Sequence, residues 1–194
     1  MRSVLIVVLM SAVSIAGIAQ TPATLDVSGK LRYHVDKTFS PGSMAMSGVK
    51  AGYSQLTDSP TEWGQGGAGY SKRVGSSFAG SAVRAGLAFG LDSALHQDPR
   101  YYRSDRSGFW PRTKDALRGT ILTRTDSGGE TFSTWRIGSA FGAAFISQQW
   151  YPDRYHTVRH GFVGGSTRLG FDALKNVIAE FWPDMKKKIS RHKP

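Results

Sequence analysis

Residues 82–95 read Ala82-Val83-Arg84-Ala85-Gly86-Leu87-Ala88-Phe89-Gly90-Leu91-Asp92-Ser93-Ala94-Leu95, and this stretch decides the fold. Leu87, Leu91 and Leu95 recur every fourth residue, the spacing of one helical face, while Ala82, Gly86, Gly90 and Ala94 repeat with the same period on another. A helix built this way carries a bare strip along which a neighbouring backbone can come close. The spacing recurs at Gly48 and Gly52, Gly138 and Gly142, and Gly161 and Gly165. Glycine inside a helix costs nearly 1 kcal/mol relative to alanine, so a recurrent strip needs a packing benefit. Chance spacing among 23 glycines is the competing explanation. The expectation is a mainly α, single-domain helical bundle with Gly-rich small-xxx-small packing, its packing residues Gly86, Gly90, Gly138, Gly142, Gly161 and Gly165.

Working outward, Ser40-Pro41 supplies an N-cap and a proline at the first helical position, which predicts a short helix to about Leu56. Ser59-Pro60-Thr61-Glu62 combines cap, proline and a capping-box glutamate, predicting a helix from Pro60 to about His96. Residues 97–108 are a polar, arginine-rich connection. Helices are expected from Phe109 to about Thr125 and from Ser133 to Trp150, separated by the turn cluster Asp126-Ser127-Gly128-Gly129. A last helix is expected from about Thr157 to Phe181, stopped by Trp182-Pro183. Residues 41–185 form the helical domain, residues 20–40 a flexible leader or short extended segment, and residues 186–194 a basic tail.

The chain has 194 residues, a length suited to one domain with a core of its own. It has no cysteine, which excludes disulfides, thiolate metal sites and a cysteine nucleophile. Arg2, the apolar run Val4–Met10 and the small residues Gly17 and Ala19 predict a signal peptide over residues 1–19, cut before Gln20. An uncleaved anchor is the alternative, but the apolar portion is shorter than the roughly 20 residues that a span requires. Export to the periplasm or an envelope membrane surface follows. Removing the peptide takes away one of 25 basic residues and none of the 14 acidic ones, so the mature chain stays strongly basic. A β-barrel is disfavoured because sustained apolar–polar alternation is missing.

Aromatic residues gather beside prolines and charges at Trp110, Trp150 and Trp182, and Lys186, Lys187, Lys188, Arg191 and Lys193 follow in the tail. Trp beside Lys and Arg suits a membrane interface, and the same aromatics also suit the closing of a bundle. An anionic lipid or envelope polyanion is the partner chemistry such a surface fits; a homo-oligomer is a further option, and no nucleic-acid motif is present. For chemistry, His96, Asp98 and Arg100 could form an acid–base and anion-binding loop, with a simple turn as the plainer account. Asp153, His156 and His160 could share one helical side as metal ligands, although no glutamate separates the histidines and Arg159 adjoins His160. Ser127 lacks a nucleophile-elbow context. No cofactor is expected.

The blocks Glu62-Trp63-Gly64-Gln65-Gly66, His96-Gln97-Asp98-Pro99-Arg100-Tyr101, Thr123-Arg124-Thr125-Asp126-Ser127-Gly128, Trp150-Tyr151-Pro152-Asp153-Arg154-Tyr155 and Glu180-Phe181-Trp182-Pro183-Asp184 together resemble an uncharacterised exported protein family of acidobacteria, over about residues 40–190. No activity, cofactor or functional residue is established for that family, so the resemblance implies export and nothing about chemistry. The leading expectation is an exported envelope protein that is a non-enzymatic membrane-associated or structural component. The rival is a hydrolase or metal-dependent enzyme using one of the two His/Asp sites.

Overall fold

The computed structural model describes residues 24–191; the expected signal peptide and the end of the tail, Lys193 included, lie outside them. The described residues form a mainly α bundle of six helices: α1 Val27–Thr38, α2 Pro41–Leu56, α3 Gly66–Ala94, α4 Phe109–Ile121, α5 Thr134–Ser147 and α6 Val158–Arg191. A small antiparallel hairpin, β1 Leu122–Arg124 with β2 Glu130–Phe132, pairs Thr123 with Thr131 around the turn at residues 125–129. Central α5 packs between α3 and α6, α1 and α2 pack on α3, and α4 packs on α6.

Four boundaries differ from the sequence expectation. Residues 27–38 of the expected leader are helical, capped by Asp26, whose carboxylate accepts the Gly29 N–H at 2.7 Å. Pro60 opens only the 3₁₀ turn Thr61–Trp63, because Gly64, with φ 70°, and Gly66 at the start of α3, with φ 84°, break the helical path between the two. The fourth helix stops at Ile121, where the β-branched Thr123 enters the hairpin and its hydroxyl donates to the Asp98 carbonyl. The last helix continues through Pro183. Proline removes the N–H that would reach Ala179 and disturbs that turn. The neighbouring Glu180 carbonyl instead accepts hydrogen bonds from Arg103 Nε and Arg112 Nη2.

The bare strips are used unequally. A Cβ on Gly138 would lie 2.9 Å from Leu91 Cδ1 and one on Gly142 3.0 Å from Leu87 Cδ1, so the leucines of α3 seat on the strip of α5. In turn the Phe145 and Phe141 rings of α5 cover Gly161 and Gly165 of α6 so closely that a Cβ would overlap them. The expected backbone-to-backbone approach is corrected to large side chains entering bare strips. Gly86, Gly90 and Gly52 meet nothing within 4 Å, so the first two are not packing residues within the described chain.

The interior is polar and small. The fully buried apolar residues are six alanines and Trp135, against a buried polar set that includes Lys30, Arg73, Asp92, Arg136 and Glu180. α1 turns Lys30, His34 and Thr38 inward and leaves Val27, Leu31 and Val35 exposed, as is Phe39 at its C-cap. That is the reverse of a water-soluble amphipathic helix.

Candidate functional site

The loop after α3 and the hairpin turn enclose a polar recess of about 200 Å³ bordered by Asp98, Tyr102, Arg124, Asp126 and Ser127. Asp98, 4% exposed, is held on every side. Its carboxylate accepts from Arg100 Nη2 at 2.6 Å, Arg100 Nε, the Arg100 backbone N–H and Tyr102 Oη at 2.6 Å. Burial pushes the Asp98 carboxyl up, but hydrogen bonds from Arg100 and Tyr102 outweigh it and hold the group below the usual carboxylate range. The Tyr102 phenol is driven up to about 12 by burial and by Asp98. Arg124 stacks over the Tyr102 ring at 4.2 Å.

His96, with φ 51°, is exposed and turns its ring toward Asp126 at 3.8 Å, away from Asp98. The expected trio is therefore divided: Asp98 and Arg100 form a closed fork, and His96 stands apart. Beneath them, Lys30 Nζ reaches Asp126 at 2.7 Å and the Asp92 carbonyl at 3.0 Å, while His34 Nε2 lies 2.6 Å from the fully buried Asp92 carboxylate. Ser127 Oγ pairs with Thr125 Oγ1 at 2.9 Å, and no base adjoins it among the described residues. The recess is thus a charge-balanced tie between the α1 helix, the α3 end and the hairpin.

The proposed metal ligands do not converge. His156 Nε2 sits 2.9 Å from the Tyr151 carbonyl, Asp153 is fully exposed, and the His160 ring packs edge-on against Tyr155 at 4.7 Å. Among the described residues no group of three or more His, Cys, Asp or Glu side chains is arranged to hold a metal ion. The helix that would have aligned them begins only at Val158, because Asp153–Tyr155 is a 3₁₀ turn.

A second polar centre escaped the sequence reading. Glu180, with no exposed surface, accepts from Arg112 Nε at 2.7 Å, Tyr101 Oη at 2.9 Å and the Ser104 N–H at 3.0 Å, and Arg112 also reaches Asp184 at 2.6 Å. The signal was present: Arg168, Asp172, Asn176 and Glu180 are spaced by four on α6. Beside this centre, Phe109 stacks on Phe181 at 5.2 Å and meets Trp110, which is 69% exposed. Phe181, Met185 and Ile189 continue one stripe beside the exposed Lys186, Lys187 and Lys188. Trp110 and Trp182 thus belong to the end carrying the tail. Trp150 lies by the other end of α6, its indole N–H donating to Ser76 Oγ at 2.9 Å.

These features define a helical bundle with a polar interior and many exposed large apolar side chains. No family model, curated protein or solved structure matches the chain.

Asp98→Asn is expected to destabilise the protein at neutral pH by about 1.5–3 kcal/mol, the worth of charge-assisted hydrogen bonds. Because the folded-state pKa is depressed, this contribution is present above the ordinary value of 3.8 and disappears as pH falls through the folded value. Urea titrations should therefore show wild type and variant converging in acid; a constant gap across pH would contradict the account.

Proposed function

We propose that the chain is an exported, non-enzymatic component of the cell envelope that rests on a membrane surface. The reversed polarity carries this reading: alanine and charged residues are buried while Val27, Leu31, Phe109, Trp110 and Ile189 are exposed. Apolar surface left in water forfeits about 25 cal/mol per Å², and a lipid interface recovers it. Scattered exposed apolar side chains are ordinary, but the Phe109–Trp110–Phe181 cluster with the adjoining Met185 and Ile189 stripe forms a continuous patch flanked by lysines. Its rings suit the headgroup region and the lysines suit anionic lipid. No described helix is long and apolar enough to cross a membrane.

Purified protein is expected to sediment with phosphatidylglycerol vesicles at low salt, less with phosphatidylcholine vesicles, and less as salt is raised. Each basic residue at such a surface contributes about 1 kcal/mol, so removing residues 186–194 should weaken binding at least about tenfold. Trp110→Ser should weaken it on both vesicle types. Absence of binding to anionic vesicles at low salt would end this reading.

A further inference from the structure

Neither α2 nor α3 packs closely on α6, and the space between them is crossed by long charged side chains. Arg84 of α3 forms an ion pair with Asp172 of α6. Lys175 lies 4.0 Å from the same carboxylate, and its side chain keeps 72% of its surface at the open side. Arg168, one turn earlier, donates to Ser147 Oγ at 3.3 Å and has no carboxylate partner among the described residues. Lys50 of α2 reaches across to the Phe171 ring at 5.6 Å and makes no hydrogen bond or ion pair among the described residues. Arg136, 4% exposed, donates to the Gly119 carbonyl. Arg84 and Lys175 therefore share the Asp172 carboxylate, and neither Arg168 nor Lys50 has a carboxylate of its own among the described residues.

Their ionisation reflects that crowding. Burial, with Lys175, Arg168 and Arg84 nearby, pushes the Lys50 amine down to about 8. Burial and Arg84 lower Arg168 as well. A chain that gathers cations where each disfavours the next gains stability if an anion enters among them.

We propose that this inter-helix gap is a binding site for a phosphate group, held by Arg168 and Lys50 with Arg84 and Lys175 alongside. Asp172 sets the positions of Arg84 and Lys175, and the ligand sits on the side away from it. A tetrahedral group of two negative charges satisfies several donors at once, and a guanidinium fork matches its oxygens. The site is separate from the lysine tail and does not rest on membrane docking.

Isothermal titration of the purified protein in low-chloride buffer, with inorganic phosphate in one arm and a soluble short-chain phosphatidic acid in the other, tests the assignment. Binding in both arms identifies a free phosphate group as sufficient, and binding of the lipid alone identifies a headgroup; either supports the site if Arg168→Gln and Lys50→Gln each weaken it about tenfold or more, the scale of one lost charged contact. Replacing Lys186, Lys187 and Lys188 together by glutamine should leave this affinity unchanged while reducing vesicle binding, so the two readings fail separately. The ligand-free Arg168→Gln protein should melt at or above wild type, since an uncompensated charge has been removed. Binding in neither arm, binding lost only with the tail lysines, or a clearly lower melting temperature for ligand-free Arg168→Gln would overturn the proposal.

Discussion

Glu180→Ala is expected to lower the unfolding free energy by about 3–5 kcal/mol, the scale for removing one partner of a buried ion pair. Glu180 has no exposed surface, and its two oxygens serve Arg112, Tyr101 and the Ser104 backbone N–H together. Truncation leaves the Arg112 guanidinium with Asp184 and the residue-180 backbone carbonyl but without its buried carboxylate, and leaves the Tyr101 hydroxyl and the Ser104 N–H without their acceptor. The loop at residues 99–108 then keeps only the Arg103 bond to the residue-180 carbonyl of these ties to α6, so amide exchange there should accelerate more than in α3. Glu180→Gln keeps an acceptor oxygen and should cost less than the alanine. Urea unfolding with equal losses for the two variants would mean that packing volume, not the carboxylate, holds the loop.

Alanine substitutions at glycine should divide into two groups of opposite sign. Gly161→Ala and Gly165→Ala place a methyl group inside the Phe145 and Phe141 rings, which also pack edge-on against Phe162 at 5.6 Å each. Overpacking of this kind costs about 1–3 kcal/mol per site, and the two sites share neighbouring rings, so their effects should not simply add. Gly86→Ala and Gly90→Ala meet nothing within 4 Å and should stabilise by about 0.5–1 kcal/mol each through helix propensity alone. Thermal melts of the four single variants decide the matter. Destabilisation at Gly86 or Gly90 comparable to that at Gly165 would show that the exposed α3 strip is covered in solution, as in an oligomer.

Much of the fold was legible along the chain, and the reasons for the misses are physical. The Ser40-Pro41 cap predicts α2 with both ends in place, since capping is a local interaction. Residues 27–38 read as a leader because α1 buries Lys30, His34 and Thr38, so no apolar inward stripe marks the helix. Pro183 reads as a stop because its missing N–H is a local fact, whereas the arginines that serve the adjoining Glu180 carbonyl come from positions 103 and 112. Of the candidate site residues, Asp98 and Arg100 are neighbours in a fork that their spacing permits. His96 is turned away by its own positive φ, and Asp153, His156 and His160 are separated by a 3₁₀ turn that their spacing does not reveal.

Taken alone, the order of residues determines that this chain is mainly helical, that its glycines form strips at the helical period, and that its charge is strongly positive. Only the tertiary structure decides which strips receive side chains, that the charged stripes of α1 and α6 turn inward, and that Arg84 of α3 and Lys50 of α2 reach Asp172 and Phe171, neighbours on α6. Periodicity settles which residues share a face of one helix, because the backbone repeat is intrinsic. Which face meets a neighbour depends on where the other helices lie, and that is set by contacts between residues far apart in the chain.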